Sequence, residues 1–276
     1  MPIEIALMIE GQDGVNWERF QKIARVAEDA GYIGLYRSDH FTNASGPYKD
    51  SLECWISLAW LASHTSRLVF GPLVSPVSFR YPSMLVRMAA AVSDLSGGRL
   101  QLGVGAGWQE REHVNYGYHL GDIPERMARF REAVQIISHL LNNDEPLTFQ
   151  GEHYQLREAV LLPRPTHRVP IVIGGGGKKV TLPLVARYAD EWNTVGPKSP
   201  DEFKELNAYL DTLLDKAGRP RASVRRSVMI FVRDDTPSQV KDQVAALEAA
   251  GVQRVMLNWS RFDDTQGIAA LARAVL

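Results

Sequence analysis

The sequence predicts an α/β protein, and within that class a (β/α)8 barrel of the TIM type. Short apolar runs alternate with longer segments of helical periodicity along the 276 residues, and eight such units can be counted. Strands that alternate with helices pair in parallel, and eight such units close into a barrel. We expect residues 1–276 to form one domain, because no linker rich in Ser, Gly or Pro divides them, with residues 143–169 as an insertion before the fifth strand.

The first half of the chain supplies four strands and four helices of this barrel. Asn16 is expected to cap the first helix, because helical apolar spacing begins at Trp17 and Gly31 then ends it. Tyr81 and Pro82 begin the third helix, since proline suits a first helical turn. The strands are expected at Ile3–Ile9, Tyr32–Tyr36, Leu68–Val74 and Leu100–Val104, and the helices at 16–31, 51–64, 81–95 and 122–141.

The second half repeats the alternation after the insertion. Within the insertion, Gly151 lies between two polar and aromatic triplets, a pattern typical of a small hairpin. Thr236 and Gln239 match a capping box, which predicts the start of a helix. The strands are expected at Pro170–Ile173, Glu191–Val195, Val224–Val232 and Arg254–Leu257, and the helices at 179–188, 200–217, 236–250 and 265–275.

Composition argues against several classes of partner. The chain is 45% hydrophobic and 23% charged with a net charge of −1, so it lacks the basic surface that binds nucleic acids or anionic membranes. No apolar run reaches the roughly 18 residues of a membrane span, and the first residues lack the features of a signal peptide. Cys54 is the one cysteine and is expected to be a packed thiol. We expect a cytoplasmic protein that binds a small-molecule substrate, and neither nucleic acid nor membrane.

Residues 100–118 are the first candidate for a functional segment. An apolar strand containing Gly103 and Gly105 runs through Gly107 into a polar and aromatic cluster that begins at Trp108. Glycines at the end of a strand let the backbone approach a ligand closely. Active sites of (β/α)8 barrels lie at the carboxyl ends of the strands, and the unusual residues of this chain fall at those ends.

Three side chains at the strand ends are candidates for chemistry. His40 follows the second strand, and imidazole is well suited to proton exchange near neutral pH, although a structural histidine is the alternative. Glu110 is a candidate for the complementary acid, or for a hydrogen bond to the edge of a ligand ring, against the alternative of a surface carboxylate. Trp108 offers a stacking surface or else fills the core.

A run of glycines after the fifth strand predicts a phosphate site. Gly174–Gly177 precede Lys178 and Lys179 and lead into a helix, where unpaired backbone N–H groups and the helix dipole favour an anion. Lys198, after the sixth strand, would add a positive charge. We expect no metal site, because no two histidines share a helix face at a spacing of three or four residues.

Several segments together resemble the bacterial luciferase-like flavin and deazaflavin oxidoreductases, over about residues 3–260. These segments are Ser38–Phe41, Ser78–Pro82, Gly98–Trp108, Ile173–Gly177 and Ala189–Asn193. Within that family, Gly105–His113 and the glycine run are most similar to the branch that uses coenzyme F420. The family fold is a TIM-like barrel with an excursion before the fifth strand, as the alternation of elements predicts independently.

The resemblance implies a flat tricyclic ring across the mouth of the barrel, F420 or in the alternative FMN, with its phosphate near the glycine run. It implies proton transfer by His40, assistance by Glu110, and a non-proline cis peptide at Leu73–Val74. Cofactor contacts are expected from Asp39, Leu73, Val74, Ala106, Gly107, Trp108, Gly174, Gly175, Gly176, Gly177, Lys178, Trp192 and Asn193.

The function implied by the resemblance is hydride transfer between F420 and a small organic substrate. Hydride would pass to an activated alkene, imine or carbonyl, or in reverse from an alcohol. Two alternatives remain, an FMN-dependent monooxygenase on the same barrel and a non-catalytic flavin-binding barrel. Homodimers are common in the family, so a homodimer is expected. The loops expected to build the substrate pocket include Glu10, Asn43, Tyr116, Trp259 and Phe262.

Overall fold

Eleven strands occur among residues 2–196 and 199–276, the part of the chain that the computed structural model describes. The strands are β1 Glu4–Ile9, β2 Gly34–Arg37, β3 Val69–Pro72, β4 Ser75–Pro76, β5 Leu102–Gly105, β6 Leu147–Gln150, β7 Gln155–Ala159, β8 Ile171–Gly174, β9 Glu191–Val195, β10 Arg225–Val232 and β11 Arg254–Trp259. Nine of them form one parallel sheet in the order β3-β2-β1-β11-β10-β9-β8-β5-β4, and β6 and β7 form an antiparallel hairpin.

The sheet closes into the predicted barrel through a strand that is interrupted once. β3 and β4 are two parts of the third barrel strand, separated by Leu73 and Val74, whose peptide bond is cis. A parallel bridge between Phe70 and Leu100 joins β3 to the chain just before β5. With β3 and β4 counted as one strand, the nine strands of the sheet give eight positions around the barrel. The (β/α)8 fold and the cis peptide at Leu73–Val74 are therefore confirmed.

The helices follow the strands as the alternation predicts. They are α1 Trp17–Asp29, α2 Cys54–His64, α3 Pro82–Leu95, α4 Glu110–Tyr116, α5 Ile123–Asn142, α6 Thr181–Tyr188, α7 Pro200–Lys216, α8 Pro237–Ala249 and α9 Thr265–Val275. Asn16 caps α1 by accepting a hydrogen bond from the N–H of Arg19, and Thr236 and Gln239 form the predicted capping box of α8. The cap predictions are confirmed.

Two features of the fold matter for the site. The hairpin β6–β7 occupies the interruption expected at 143–169, outside the barrel sheet. The seven-residue helix α4 was not predicted, and it lies directly after β5, at the mouth of the barrel. It ends at Gly117, whose positive φ of 72° suits glycine at a helix end.

The barrel interior is divided into two layers below the mouth. Tyr36 packs with Ala6, Met8, Met229 and Met256 in a small apolar cluster separate from the larger core under the helices. Beneath it, Arg254 lies between Glu191 and Glu4, with Nη1 of Arg254 2.7 Å from Oε2 of Glu191. The interior is thus filled at its amino-terminal end, and the open space lies at the carboxyl ends of the strands.

Candidate active site

A cavity of about 480 Å³ opens at the carboxyl ends of the barrel strands. This volume is within the range of about 300–1,000 Å³ found for pockets that hold small organic ligands. The predicted site residues that line it are His40, Leu73, Val74, Ala106, Gly107, Trp108, Gly174, Gly175 and Asn193. The lining also includes Glu10, Gln12, Ser38, Pro76, Gly105, Val195, Met229 and Phe231. The strand ends therefore bring most of the predicted residues to one cavity.

His40 reaches this cavity from the segment after β2 and is held by a carboxylate. Its Nδ1 lies 2.7 Å from Oε1 of Glu112, and the backbone N–H of Phe41 donates to Oε2 of Glu112 over 2.8 Å. The Glu112 side chain is fully buried, and that of His40 is 14% exposed. Nε2 of His40 has no partner among the described residues, so this nitrogen is the one available to a ligand in the cavity.

The pKa of His40 is raised above its usual value. Burial acts most strongly and in the opposite direction, because it disfavours the imidazolium. The hydrogen bond and charge of Glu112 outweigh burial, and the charges of Glu10 and Asp39 add to them. His40 therefore keeps its proton to a higher pH than an isolated histidine would, which suits a proton donor that works near neutral pH.

The carboxylate that contacts His40 is Glu112, whereas Glu110, the predicted complementary acid, does not line the cavity. Glu110 begins α4, is exposed, and is absent from the cavity lining. Successive helical residues are about 100° apart, so Glu110 and Glu112 point to nearly opposite sides of α4. Gln109, Glu112 and His113 are the buried positions here, and their spacing of three and four residues is that of an inward helix face.

Asp39 supports the site from outside the cavity. Its Oδ2 accepts hydrogen bonds from Oγ of Ser75 and Nη1 of Arg80, both over 2.5 Å, and only 1% of its surface is exposed. Adjacent residues of an extended chain point to opposite sides. Ser38 and His40 line the cavity, so Asp39 between them faces away from it. Its ion pair with Arg80 ties the segment after β2 to the segment before α3, and the cofactor contact of Asp39 stays a prediction.

Val74 projects into the barrel mouth at the cis peptide, and glycines make room for it. A Cβ atom at Gly105 would lie 2.5 Å from Cγ2 of Val74, and one at Gly174 would lie 3.2 Å from Cγ1. At Gly103 a Cβ atom would collide with the carbonyl oxygen of Pro72. The glycines of β5, interpreted in the sequence as a ligand approach, thus accommodate the interrupted third strand, and Val74 forms a raised floor for the cavity.

The glycine run makes a backbone cradle beside the cavity. The N–H of Gly175 donates to the carbonyl of Asn193 over 2.8 Å, whereas the N–H groups of Gly176 and Gly177 have no acceptor among the described residues. A Cβ atom at Gly177 would lie 3.0 Å from Oγ1 of Thr181, the first residue of α6. Two free donors before a helix are suited to a phosphate group.

Lys178 and Trp192 do not line the cavity. Nζ of Lys178 lies 2.5 Å from Oε1 of Glu205 on the protein surface. Trp192 is buried and stacks on Phe203 of α7, while its Nε1 donates to the carbonyl of Gly175 over 2.8 Å. Trp192 therefore fixes the glycine run from behind, and Asn193, the next residue of β9, faces the cavity. Lys198, expected to add charge here, lies outside the described residues.

The family model that describes luciferase-like monooxygenases matches residues 1–270 of this chain. The chain belongs to the luciferase-like monooxygenase family. The resemblance seen in the sequence is thereby confirmed.

Curated relatives of this luciferase-like chain include two F420-dependent glucose-6-phosphate dehydrogenases. The one from Microbacterium testaceum is 33% identical over 203 residues, which cover 72% of this chain and 59% of the relative. The one from Kineococcus radiotolerans is 32% identical over 216 residues, which cover 77% of this chain and 63% of the relative. The matched part is thus less than two thirds of the length of either relative.

Solved structures similar to this one confirm the luciferase-like barrel. An F420-dependent secondary alcohol dehydrogenase in complex with an F420-acetone adduct superposes with a TM-score of 0.89 at 19% identity, over 100% of both chains. The coenzyme F420-dependent tetrahydromethanopterin reductase from Methanopyrus kandleri gives 0.80 at 17% identity, over 100% of this chain and 99% of the other. A long-chain alkane monooxygenase gives 0.83 at 13% identity, over 100% of this chain and 90% of the other.

The cavity of this luciferase-like protein contains residues that the sequence analysis did not assign to it. Met229 and Phe231 of β10 line it, as do Gln12 and Ser38. Of the residues expected from the loops around the substrate, Glu10 lines the cavity, while Asn43, Trp259 and Phe262 are buried elsewhere. Tyr116 is exposed, with its ring against Phe41. Sequence periodicity identifies β10 but not which of its residues face inward at the mouth.

The described residues contain neither a metal-binding cluster nor a membrane span. No group of three or more His, Cys, Asp or Glu side chains among them has the arrangement of a metal site. None of the helices in residues 2–196 and 199–276 combines the length and apolar character needed to cross a bilayer. Cys54 is buried, and burial raises the pKa of its thiol well above the usual value, as expected for a packed cysteine.

Proposed function

We propose that the protein is an F420-dependent oxidoreductase that transfers a hydride between the deazaflavin and a small organic substrate. The observation that carries the proposal is the position of His40, which lines a cavity bounded by the Val74 bulge and the glycine cradle and whose Nε2 has no partner among the described residues. The activities named for the relatives from Microbacterium testaceum and Kineococcus radiotolerans, both dependent on F420, support the choice of cofactor.

The residues of the cavity fit a flat ring that carries a phosphate. Val74 offers an apolar surface below, a side chain at Gly105 would collide with it, and one at Gly174 would crowd it. The free N–H groups of Gly176 and Gly177 would hold the phosphate, and Trp192 fixes this segment through the carbonyl of Gly175. Bound F420 would supply hydride transfer at a ring carbon, which no side chain can provide.

The side chains of this chain would manage the proton and the substrate. We propose that Nε2 of His40 gives a proton to the substrate oxygen or nitrogen in reduction and takes it back in oxidation. Glu112, rather than Glu110, orients the ring and holds the proton on Nδ1. Trp108, which lines the cavity and meets the His40 ring edge-to-face at 5.7 Å between centroids, would form the outer wall against the substrate.

The test is binding and turnover with defined cofactors. The purified protein is expected to quench the fluorescence of added F420. The titration should give one bound F420 per chain, and FMN should bind more weakly. Reduction or oxidation of F420 at its visible band, with a panel of alcohols, enones and imines, then reports turnover. Binding of F420 that survives substitution of His40 and Glu112, with turnover of no compound, would instead favour a non-catalytic flavin-binding barrel.

A second candidate is an FMN-dependent monooxygenase on the same barrel. The family description names monooxygenases, and the fold is shared with the long-chain alkane monooxygenase. A monooxygenase consumes oxygen, so oxygen uptake by the protein with reduced FMN would decide for this candidate. Tight FMN binding without oxygen uptake would contradict both the F420-dependent oxidoreductase and the FMN-dependent monooxygenase.

We also propose that the enzyme works as a homodimer in the cytoplasm. The neighbouring helices α2 and α3 expose Ile56 and Met84, two apolar side chains that a second copy would cover. Light scattering of the purified protein measures its mass in solution, and a mass of one chain would contradict the dimer.

A further inference from the structure

The charges around the cavity are unevenly distributed. Glu10 lines the cavity with a carboxylate that has no Lys or Arg partner among the described residues. Its Oε2 accepts from Nε2 of Gln12 over 2.9 Å, and its Oε1 accepts from Nδ2 of Asn258 over 3.1 Å. Both amides are neutral, and both side chains are buried. They hold the carboxylate in place without compensating its charge.

The one lining group that can carry a positive charge does not change this balance. His40 lies against Glu112, so a protonated His40 forms a neutral pair with it. Asp39 is compensated in the same way by Arg80, outside the cavity. Among the described lining residues no Lys or Arg occurs. With His40 protonated, the cavity therefore carries the negative charge of Glu10, and with His40 neutral the charge of Glu112 adds to it.

Uncharged residues make up the rest of the lining, and several of them are large and apolar. Trp108, Val195, Met229 and Phe231 face the same space as Glu10. Lys178 is paired with Glu205 at the surface, and neither Lys178 nor Lys179 lines the cavity. A phosphate ester or a carboxylate of a substrate placed beside Glu10 would meet an uncompensated carboxylate with no Lys or Arg in the lining to offset it, whereas the cofactor phosphate would lie at the glycine cradle.

We propose that Glu10 selects for uncharged or cationic substrates with an apolar body and against anionic ones. A hydroxyl or ammonium group of the substrate donates to Glu10, and the apolar part packs against Trp108 and Phe231. This inference rests on the proposed function, and it separates this chain from the sugar phosphate named for its curated relatives.

A matched series of three compounds tests the charge preference. 1-Phenylethanol, 2-amino-1-phenylethanol and mandelate share a phenyl group and a secondary alcohol, and at neutral pH they are neutral, cationic and anionic. Their affinities for the protein in the presence of F420 are measured by saturation-transfer NMR. We expect the neutral and cationic compounds to bind at least about tenfold more tightly than mandelate. Glu10→Gln should reduce the difference to about threefold or less.

Controls separate this inference from the proposed function. Glu152→Gln removes an exposed carboxylate of the β6–β7 hairpin and should leave the ranking unchanged. F420 binding, followed by fluorescence in the same samples, reports on the proposed function alone. Equal affinity for mandelate and 1-phenylethanol, an unchanged ranking in Glu10→Gln, or reduction of F420 by glucose 6-phosphate would each overturn the role of Glu10.

Discussion

Nδ1 of His40 lies 2.7 Å from Oε1 of Glu112, and Glu112 is buried on the inner face of α4. The second oxygen of Glu112 accepts from the backbone N–H of Phe41. One carboxylate thus holds both the ring of His40 and the chain that follows it. This arrangement fixes Nδ1 as the protonated nitrogen and leaves Nε2 for the cavity, as a proton-transfer residue requires.

Glu112→Gln is expected to lower the pKa of His40, because it removes the negative charge and keeps a side chain of similar shape. In the wild type the pKa is raised, so the imidazolium persists to higher pH. As pH rises, a step that needs protonated His40 should therefore be lost at a lower pH in the variant than in the wild type. Titration of the His40 ring protons by NMR and the pH dependence of turnover measure the shift. Glu110→Gln is the matched comparison and should shift neither.

The same pair should make stability depend on pH. Because the pKa of His40 is higher in the folded state, the pair contributes its stabilisation fully below pH of about 6.5 and loses it as pH rises through the folded-state pKa. Glu112→Gln should therefore lower the unfolding free energy more at pH 5 than at pH 9. Urea unfolding at the two pH values measures this, and an equal loss at both would argue against a charged pair.

His40→Ala is expected to reduce turnover by about 10²–10⁴-fold, the usual contribution of a general acid or base. Cofactor affinity should stay within a few-fold, because the glycine cradle and Val74 are untouched. Fluorescence titration and steady-state turnover separate the two effects. Unchanged turnover would exclude the proton role of His40, and loss of cofactor binding would show instead that the ring is a cofactor contact.

The sequence predicted the fold better than the site, for physical reasons. Apolar periodicity marks strands and long helices, so β9 and α9 have the predicted bounds. Helix α4 was missed because its inward positions, Glu112 and His113, are polar and give no apolar periodicity. The signal that would have found it is the spacing of Gln109, Glu112 and His113 at three and four residues.

The alternation of side chains along a strand predicts which residues of β9 face the mouth of the barrel. Trp192 and Asn193 were both predicted to contact the cofactor, yet neighbouring residues of a strand face opposite sides. The structure turns Asn193 to the cavity and Trp192 to Phe203. The glycines of β5 were interpreted as space for a ligand, and they are space for Val74. The contact of Val74 with these glycines depends on the interruption between β3 and β4, which the sequence of β5 alone cannot reveal.

Asp39→Ala is expected to destabilise the fold without a specific effect on cofactor binding. Asp39 is buried and holds Arg80 and Ser75, so its removal leaves a largely buried guanidinium with Glu53 as its remaining ion-pair partner. Breaking a buried ion pair costs about 3–5 kcal/mol. Denaturant unfolding measures the loss, and F420 affinity is measured on the folded fraction. A large fall in F420 affinity with normal stability would show instead that Asp39 contacts the cofactor.

Gly105→Ala is expected to disturb the floor of the cavity. Its Cβ atom would lie 2.5 Å from Cγ2 of Val74, and overpacking of this kind costs about 1–3 kcal/mol. Gly176→Ala is the matched control for stability, because its nearest contact would be 3.4 Å from Cδ1 of Leu206. Thermal unfolding should fall for Gly105→Ala and change little for Gly176→Ala. Equal stability of the two variants would mean that Val74 can move aside.

Lys178→Gln is expected to leave F420 affinity nearly unchanged, although a lysine after a glycine run predicts a phosphate contact. Lys178 is paired with Glu205 at 2.5 Å, and both side chains are substantially exposed. An exposed charge of this kind contributes at most about 1 kcal/mol, which corresponds to about fivefold in affinity. Fluorescence titration at low salt gives the comparison, with Lys179→Gln as the neighbouring control. A loss much greater than fivefold for Lys178→Gln alone would show that the lysine leaves Glu205 to bind the phosphate, and that the backbone N–H groups of Gly176 and Gly177 do not suffice.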